Sequence, residues 1–132
     1  MSTILPEHPE SIKELVENAL DSKAWKKHLE NDLMKFWDRP DAYDMDDGLF
    51  PTYRTNTGER LPLKKEDWSE EFKAAIANED TAGLVEPNYN FIRAHSRQTY
   101  AYGIAFHITG NTRYLELCRK GALALVEAMD GN

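Results

Sequence analysis

Two arginines four residues apart are the side chains whose type and spacing most directly suggest chemistry. Arg93 and Arg97 occupy positions i and i+4, so on a helix their guanidinium groups can converge on one ligand oxygen or phosphate. The dipole at the N-terminal end of a helix favours the same anions. Pairing with a carboxylate such as Glu86 is the competing interpretation, because a buried arginine without a partner costs several kcal/mol. The residues alone leave both interpretations open.

The histidines and the single cysteine do not form a metal-binding pattern. His95 and His107 would lie roughly 18 Å apart on a straight helix, too far to share an ion, and Cys118 has no second cysteine in the chain. Three aspartates lack the glycine spacing and terminal glutamate of a calcium loop, so we interpret them as a solvated turn: Asp44, Asp46 and Asp47. We expect no metal site and no cofactor.

The segment from Arg93 to Met129 predicts two helices joined by a tight turn. The first has no charged residue from Gln98 to Thr112, so we expect protein to cover most of its sides. Gly110 suits the left-handed residue that ends a helix, and Asn111 or Thr112 can cap the next one. The second helix is amphipathic, with a predicted inward stripe of Tyr114, Leu117, Cys118, Gly121, Leu125 and Ala128. An inner helix paired antiparallel with an outer helix is the expected arrangement.

Two further helices are predicted near the start of the chain. The first runs from Pro9 to Leu20 and should turn these apolar side chains inward: Ile12, Leu15, Val16 and Ala19. The second is amphipathic, begins with Asp21 or Ser22 as its cap and ends before Pro40. Its predicted inward stripe is Trp25, Leu29, Leu33 and Phe36.

The middle of the chain changes periodicity. Residues 48–54 and 59–61 predict two short strands around a turn at residues 56–58, with Pro51 restricting the first strand to a sheet edge. Asp67 is expected to cap a short helix from Trp68 to Ala77 that turns Phe72 and Ile76 inward. The fold class is therefore all-α with one short β-hairpin after the first long helix.

Composition limits the function further. The chain has 132 residues, of which 41% are hydrophobic and 30% charged, as is typical of one globular domain. Its net charge of −7 argues against general binding to nucleic acids or anionic membranes. Residues 1–8 lack the basic start and apolar core of a secretion signal, so we expect a cytoplasmic protein.

Two segments carry a resemblance to a known family. Residues 93–102 (RAHSRQTYAY) and 109–117 (TGNTRYLEL) give an arginine-glutamine-aromatic motif, a helix, a Thr-Gly turn and a Tyr-Leu helix. Earlier, Phe36-Trp37 closes a helix before Asp47-Gly48-Leu49-Phe50 and the turn at residues 56–58. Together, over about residues 23–63 and 90–129, these segments resemble the N-acylglucosamine 2-epimerase family, which includes mannose isomerases and cellobiose 2-epimerases.

The resemblance implies an (α/α)6 barrel of alternating inner and outer helices. It further implies that residues 1–132 form a single domain corresponding to the N-terminal third of such an enzyme. The implied chemistry is proton transfer at C2 of an open-chain sugar, with histidines from later helices as acid and base. Arg97 matches the arginine that holds the substrate oxygens. The implied substrate-binding residues are Arg93, Tyr100, Trp37 and Tyr53.

The chain departs from the family pattern at several positions. Asp47-Gly48 replaces a Gly-Gly pair, Pro51 interrupts the strand, and the connection over residues 62–90 is long. Arg93 stands where many members carry tryptophan, and some phosphosugar-isomerase-like members have a basic residue at that position. A sugar or sugar phosphate is the expected ligand, and the sequence leaves its identity open.

Two other functions remain compatible with the sequence. In a non-catalytic helical module, the arginines would be structural or would bind a sugar or an anion, and the aromatic residues would only pack. A fragment of an α/α-barrel glycoside hydrolase is the third interpretation. For the 132-residue chain alone we expect no isomerase activity, and we expect self-association through exposed apolar helix faces.

Overall fold

The computed structural model describes residues 9–19, 21–44, 47–77 and 85–131. This part is mostly helical and has no β-strand, which confirms the all-α prediction. The barrel and single-domain predictions stay predictions. The helical elements in chain order are α1 (Pro9–Asn18), α2 (Ser22–His28), a π turn (Leu29–Leu33), α3 (Met34–Trp37), a 3-10 turn (Lys65–Asp67), α4 (Glu70–Ile76), α5 (Ile92–Thr109) and α6 (Thr112–Asp130).

Helices α5 and α6 form the helical hairpin that the sequence predicts. Gly110 ends α5 in the left-handed conformation at φ 72°, and the Asn111 side chain accepts a hydrogen bond from Arg113 N at 3.1 Å. Only these two residues separate the helices, so the second helix packs back against the first. Left-handed glycine and side-chain cap are both local signals, which is why sequence alone identifies them.

Close contacts between the two helices confirm the antiparallel pairing. Gly103 lies beside Cys118, and farther from the turn Thr99 lies beside Gly121. A Cβ atom on Gly121 would stand 2.4 Å from Thr99 Oγ1 and 2.6 Å from the Phe50 ring, so this glycine allows a closer approach than any other residue would. The core between α5, α6 and the preceding segments is built around three fully buried side chains: Tyr102, Phe50 and Leu117.

The expectation that protein covers most sides of α5 is wrong for the described part of the chain. One face is buried and comprises His95, Gln98, Thr99, Tyr102 and Ala105. The opposite face is exposed and comprises Arg93, Arg97, Tyr100, Ala101, Ile104 and Ile108. The exposed face carries both arginines, but from Gln98 to Thr109 neither face has a charged residue, so over that length hydrophobic periodicity could not indicate which face packs. Contacts with α6 and with the segment at residues 50–52 decide it.

The predicted faces of α6 are largely confirmed. Tyr114, Leu117 and Gly121 are buried as predicted, while Glu116 and Arg119 are exposed. Cys118 is half-buried against the core. At the far end the predicted stripe fails, because Leu125 is only half-buried and Ala128 is exposed. Ala124 is buried there instead, and from residue 126 to residue 130 the helix is exposed on all sides.

Helices α2 and α3 form one helical run that a π turn interrupts. Asp21 caps it as predicted, accepting a hydrogen bond from Ala24 N at 2.7 Å. Inside the π turn, Met34 N bonds to Leu29 O, so the run contains one extra residue per turn there. Met34 is therefore buried where the regular stripe predicts Leu33, and Leu33 is exposed. Trp25, at the start of the predicted stripe, is exposed as well.

The predictions for the two shorter helices need correction. The apolar side chains of α1 are exposed rather than inward: Ile12, Leu15, Val16 and Ala19. The predicted last residue of that helix, Leu20, lies outside the described residues. Helix α4 begins two residues after the predicted start and is capped by Ser69, which accepts a hydrogen bond from Phe72 N, instead of by Asp67. Asp67 closes the 3-10 turn before it.

The predicted β-hairpin is wrong for the described residues. The turn exists, with Gly58 at φ 88°, but it carries a single antiparallel bridge between Arg54 and Arg60 and no strand. The segment before the turn bonds to α5 instead: Phe50 N donates to His95, and Pro51 O accepts from Gln98. Because those backbone groups already have partners and Pro51 has no N–H, the segment cannot extend a ladder.

Candidate functional site

A shallow concavity lies between the end of the α2–α3 run and the exposed edge of α5. It has a volume of about 240 Å³ and a mostly apolar surface. Its lining residues are Met34, Trp37, Arg97, Gln98, Ala101 and Tyr102. Trp37 and Arg97 were both predicted as site residues from distant parts of the sequence, and the fold brings them to the same concavity.

Trp37 is fixed through its backbone carbonyl group, so its ring can contact a ligand. Its carbonyl oxygen accepts a hydrogen bond from Tyr102 Oη at 2.7 Å, and its ring makes an edge contact with Phe36. The residue remains 38% exposed. A tryptophan ring fixed in this way at the rim of an apolar concavity offers a flat surface for the apolar face of a small molecule.

Arg54 is a functional candidate that the sequence did not single out. Its Nη1 donates to the carbonyl oxygens of Phe36 and Gly58 at 3.3 and 3.1 Å. Its guanidinium also lies over the Trp37 ring, 5.2 Å from the ring centre. Among the described residues no carboxylate forms an ion pair with it, and burial lowers its pKa from the ordinary arginine value. Arg54 therefore stabilises the carbonyl end of the α2–α3 run, where a helix carries partial negative charge.

Gln98 connects α5 to the segment that contains Arg54. Its Nε2 donates to Pro51 O at 3.0 Å, and its Oε1 accepts from Arg54 Nη2 at 3.3 Å. Both ends of this buried amide are thus occupied. Gln98 shapes the floor of the concavity, and its hydrogen-bonding groups are already used within the protein.

The other predicted site residues do not line the concavity. Arg93 and Tyr100 are exposed on α5, with Tyr100 at 71%. The Tyr53 ring makes an edge contact with Phe91, 6.3 Å between ring centres. The fold therefore brings together two of the five predicted residues and leaves three outside.

Glu86, the carboxylate considered as a partner of the two arginines, pairs with a lysine instead. Glu86 Oε1 forms an ion pair with Lys65 Nζ at 2.6 Å. Within the described part of the chain, neither Arg93 nor Arg97 forms an ion pair. The competing interpretation that Glu86 neutralises these arginines is therefore wrong for this fold.

A charged cluster beside the concavity joins the end of α3 to the start of α6. Arg113 Nε lies 2.7 Å from both carboxylate oxygens of Asp38, and Tyr43 Oη donates to Asp38 Oδ1 at 2.6 Å while it accepts from Arg113. Burial and the Asp38 contact raise the pKa of Tyr43 well above its ordinary value. All groups in the cluster satisfy one another, so we assign it a structural role.

His95 occupies the opposite side of α5 from Arg97, as the helical wheel predicts. Its Nδ1 lies 3.2 Å from Phe50 N, and its Nε2 lies 2.9 Å from Gly121 O. An amide N–H only donates and a carbonyl only accepts, so Nδ1 is the acceptor and Nε2 carries the proton. The ring also stacks on Phe50 at 4.8 Å. This histidine is a packing residue that links three segments.

A second cleft of about 360 Å³ separates the turn at residues 54–56 from α4. Its floor is apolar and includes Leu61, Trp68 and Phe72. Trp68 Nε1 donates to Pro62 O at 2.8 Å, which fixes the indole in the floor. None of the five predicted site residues lines this cleft.

In the described ranges, no three His, Cys, Asp or Glu side chains are grouped so that they could hold a metal ion. Asp46, one of the three aspartates considered as a calcium loop, lies outside those ranges. Its neighbour Asp47 accepts a hydrogen bond from Leu49 N, as in a turn. No helix there has the length and apolar character needed to cross a membrane.

Comparisons with protein-family models, with curated proteins and with solved structures found no match for this chain.

The buried tyrosines make the protein sensitive to alkali. Burial raises the pKa of Tyr102 to about 12, against about 10 for an unfolded tyrosine. Because the hydroxyl ionises at a lower pH in the unfolded chain than in the folded one, the contribution of Tyr102 to the free energy of unfolding is complete below pH 10. It is lost as the pH rises toward 12. We expect the free energy of unfolding to fall by about 3 kcal/mol from Tyr102 over this interval. Urea unfolding at several pH values, with phenolate absorbance, measures it.

Tyr102→Phe separates this effect from general alkaline damage. The variant keeps the ring but has no hydroxyl to ionise, so its stability should fall less steeply between pH 10 and 12. Tyr89→Phe removes an exposed hydroxyl and serves as the control. Parallel pH profiles for wild type and Tyr102→Phe would contradict the assignment.

Proposed function

We propose that this chain binds a sugar or sugar phosphate at the concavity lined by Trp37 and Arg97. In this proposal the Trp37 ring contacts the apolar face of the sugar, and the Arg97 guanidinium holds its oxygens. The observation that carries the proposal is the meeting of Trp37 and Arg97, two residues that the family resemblance identifies independently, at one concavity. Arg97 is exposed and has no ion-pair partner in the described part, so its charge is available to a ligand.

The proposed biochemical role is part of a carbohydrate epimerase or isomerase similar to N-acylglucosamine 2-epimerase. The α5–α6 pair supports this role. One face of α5 packs against the amphipathic α6 and the opposite face is exposed, which suits an inner helix whose exposed face would line the interior of an (α/α)6 barrel. An always-charged arginine fork also suits an oxygen that gains negative charge as the proton at C2 is removed. The acid and base that move this proton would come from outside the concavity, since none of the described residues that line it is a histidine or a carboxylate.

A non-catalytic sugar-binding or anion-binding module is the second candidate. The same lining favours it, because Arg97 and Trp37 can bind a ligand there. The Tyr102 hydroxyl, which could otherwise transfer a proton, already donates to Trp37 O. The two candidates share the binding step and differ in turnover. We expect the 132-residue chain to bind without isomerising; turnover of N-acetylglucosamine, mannose or glucose 6-phosphate by the purified chain would contradict this expectation.

Binding itself tests the proposed site. We expect N-acetylglucosamine, mannose or glucose 6-phosphate to shift the Trp37 side-chain resonances in NMR titrations. Arg97→Ala should weaken the apparent affinity by about 10-fold to 100-fold, the loss typical of one charge-assisted hydrogen bond. Arg119→Ala, an exposed arginine of α6, is the matched control and should leave the affinity unchanged. Equal affinities of Arg97→Ala and wild type would remove Arg97 from the site.

A further inference from the structure

The cleft between the turn at residues 54–56 and α4 has the size and the floor of a small-molecule site. Its volume of about 360 Å³ falls within the range of ligand pockets, about 300 to 1,000 Å³. Leu61 and Trp68, which form part of the floor, are buried in the folded chain. The Trp68 indole is fixed by its hydrogen bond to Pro62 O and by an edge contact with Phe72, 5.1 Å between ring centres. The apolar floor is therefore formed without a ligand.

The two walls of this cleft carry opposite charges that do not neutralise each other. Arg54 lies on the wall formed by the turn, and Glu71 lies on the wall formed by α4. Glu71 is exposed, and within the described part of the chain neither side chain forms an ion pair. A ligand that carries both a negative and a positive group would compensate both walls at once.

The wall at the turn can receive a carboxylate. The Arg54 guanidinium already donates to the carbonyl oxygens of residues 36 and 58 and to Gln98, so it contributes its charge rather than a free N–H group. Asn56 lies on the same wall, is exposed and has no side-chain hydrogen bond within the described residues. Its amide can donate to a carboxylate that the Arg54 charge attracts.

We propose that this cleft binds a free amino acid with an apolar side chain. The ligand carboxylate lies at Asn56, the ligand ammonium group donates to the carboxylate of Glu71, and the ligand side chain lies against the apolar floor. The inference goes beyond the proposed function and does not depend on it, because neither residue lines the concavity at Trp37.

Ligands with a single charge fit the cleft less well. An amine without a carboxylate would pair with Glu71 but would be repelled by Arg54. A carboxylate without an amine would be attracted by Arg54 but repelled by Glu71. A zwitterion instead places each of its charges at the wall of opposite sign, so the cleft should select an amino acid over the corresponding amine or acid.

NMR titration of the full chain with phenylalanine at about pH 7, where both groups of the ligand are ionised, tests the site. We expect the side-chain resonances of Trp68 and Phe72 to shift with a dissociation constant in the millimolar range, as is typical of a ligand of this size. Phenethylamine lacks the carboxylate and 3-phenylpropionate lacks the ammonium group, so each should bind about 5-fold or more weakly. The proposal is wrong if phenylalanine shifts neither set of resonances, or if either analogue binds as tightly as phenylalanine.

Glu71→Gln tests the charge on the wall of α4. The variant keeps the shape of the side chain and removes its charge, so phenylalanine should bind about 5-fold or more weakly. The affinity for 3-phenylpropionate should not fall, because the repulsion by Glu71 is gone. Glu116→Gln, an exposed carboxylate of α6, is the matched control and should bind both compounds as the wild type does. Equal phenylalanine affinities of Glu71→Gln and wild type overturn the proposal.

Filling the cleft tests its location. Ala75 lines the cleft and its neighbour Ala74 does not, although both are exposed on α4. Ala75→Trp should therefore abolish phenylalanine binding, whereas Ala74→Trp should keep it. Binding by Ala75→Trp, or loss of binding in both variants, contradicts the assignment to this cleft. Arg97→Ala should leave phenylalanine binding unchanged, so the amino-acid site and the sugar site can fail separately.

Discussion

Replacing His95 by leucine is expected to destabilise the protein by about 4 kcal/mol. Leucine removes both hydrogen bonds of the imidazole, so Phe50 N–H and the Gly121 carbonyl remain buried without partners. Each unsatisfied group costs about 1 to 3 kcal/mol. A small domain has only about 5 to 15 kcal/mol of stability in total. Chemical denaturation of His95→Leu, followed by circular dichroism, measures the loss.

Two conservative variants separate the two hydrogen bonds of His95. In His95→Asn, an amide oxygen can replace Nδ1 as the acceptor of Phe50 N–H. In His95→Gln, an amide nitrogen can replace Nε2 as the donor to Gly121 O. Both should fall between wild type and His95→Leu in stability. His107→Leu, an exposed histidine on the same helix, should change stability by less than about 0.5 kcal/mol. Equal stabilities of His95→Leu and His107→Leu would show that the network contributes nothing.

Replacing Gly58 by alanine is expected to cost about 3 kcal/mol, for two separable reasons. The residue has φ 88°, a conformation that costs an L-residue about 1 to 2 kcal/mol. In addition, the new Cβ would lie 2.4 Å from the carbonyl oxygen of Phe36, so the backbone at the end of α3 must move. That same oxygen accepts from Arg54 Nη1, so the shift also disturbs the support of Trp37.

Gly110→Ala is the matched control for Gly58→Ala. Gly110 has a similar conformation at φ 72°, but nothing lies within 4 Å of its Cβ position. It should therefore show the conformational cost alone, about 1 kcal/mol. The difference in unfolding free energy between the two variants measures the collision with Phe36 O. If both variants lose the same amount, that close approach does not exist in solution.

The candidate site was predictable where side-chain type and local motif carried the information. Arg97 stands out from its spacing to Arg93, Trp37 enters through the family resemblance, and the fold brings both to one concavity. Arg54 supports that concavity but carries no sequence signal, and Gln98 is visible in the sequence only as part of the arginine-glutamine-aromatic motif, with nothing to indicate its hydrogen bonds. Their roles depend on backbone carbonyls of residues 36, 51 and 58, which come close only when the chain has folded. Side-chain contacts with a distant main chain leave no periodicity in the sequence.

Local signals determined the helix ends and the helical hairpin. Asp21, Gly110 and Asn111 act on backbone groups within a few residues of themselves, so their effect can be predicted without knowing the rest of the fold. The same holds for the buried stripe of α6 from Tyr114 to Gly121, because charged residues occupy its opposite side and leave only one face to bury.

Tertiary structure decided which face of α5 packs and where the two arginines lie. Two faces of α5 are free of acidic residues, and burial of apolar surface is non-directional, so the sequence pattern favours neither. The choice depends on shape and hydrogen bonding: Gly121 allows α6 to approach Thr99, and His95 and Gln98 satisfy the main chain of residues 50 and 51. Arg93 and Arg97 are consequently left on the exposed face, where Arg97 lines the concavity of the proposed sugar site.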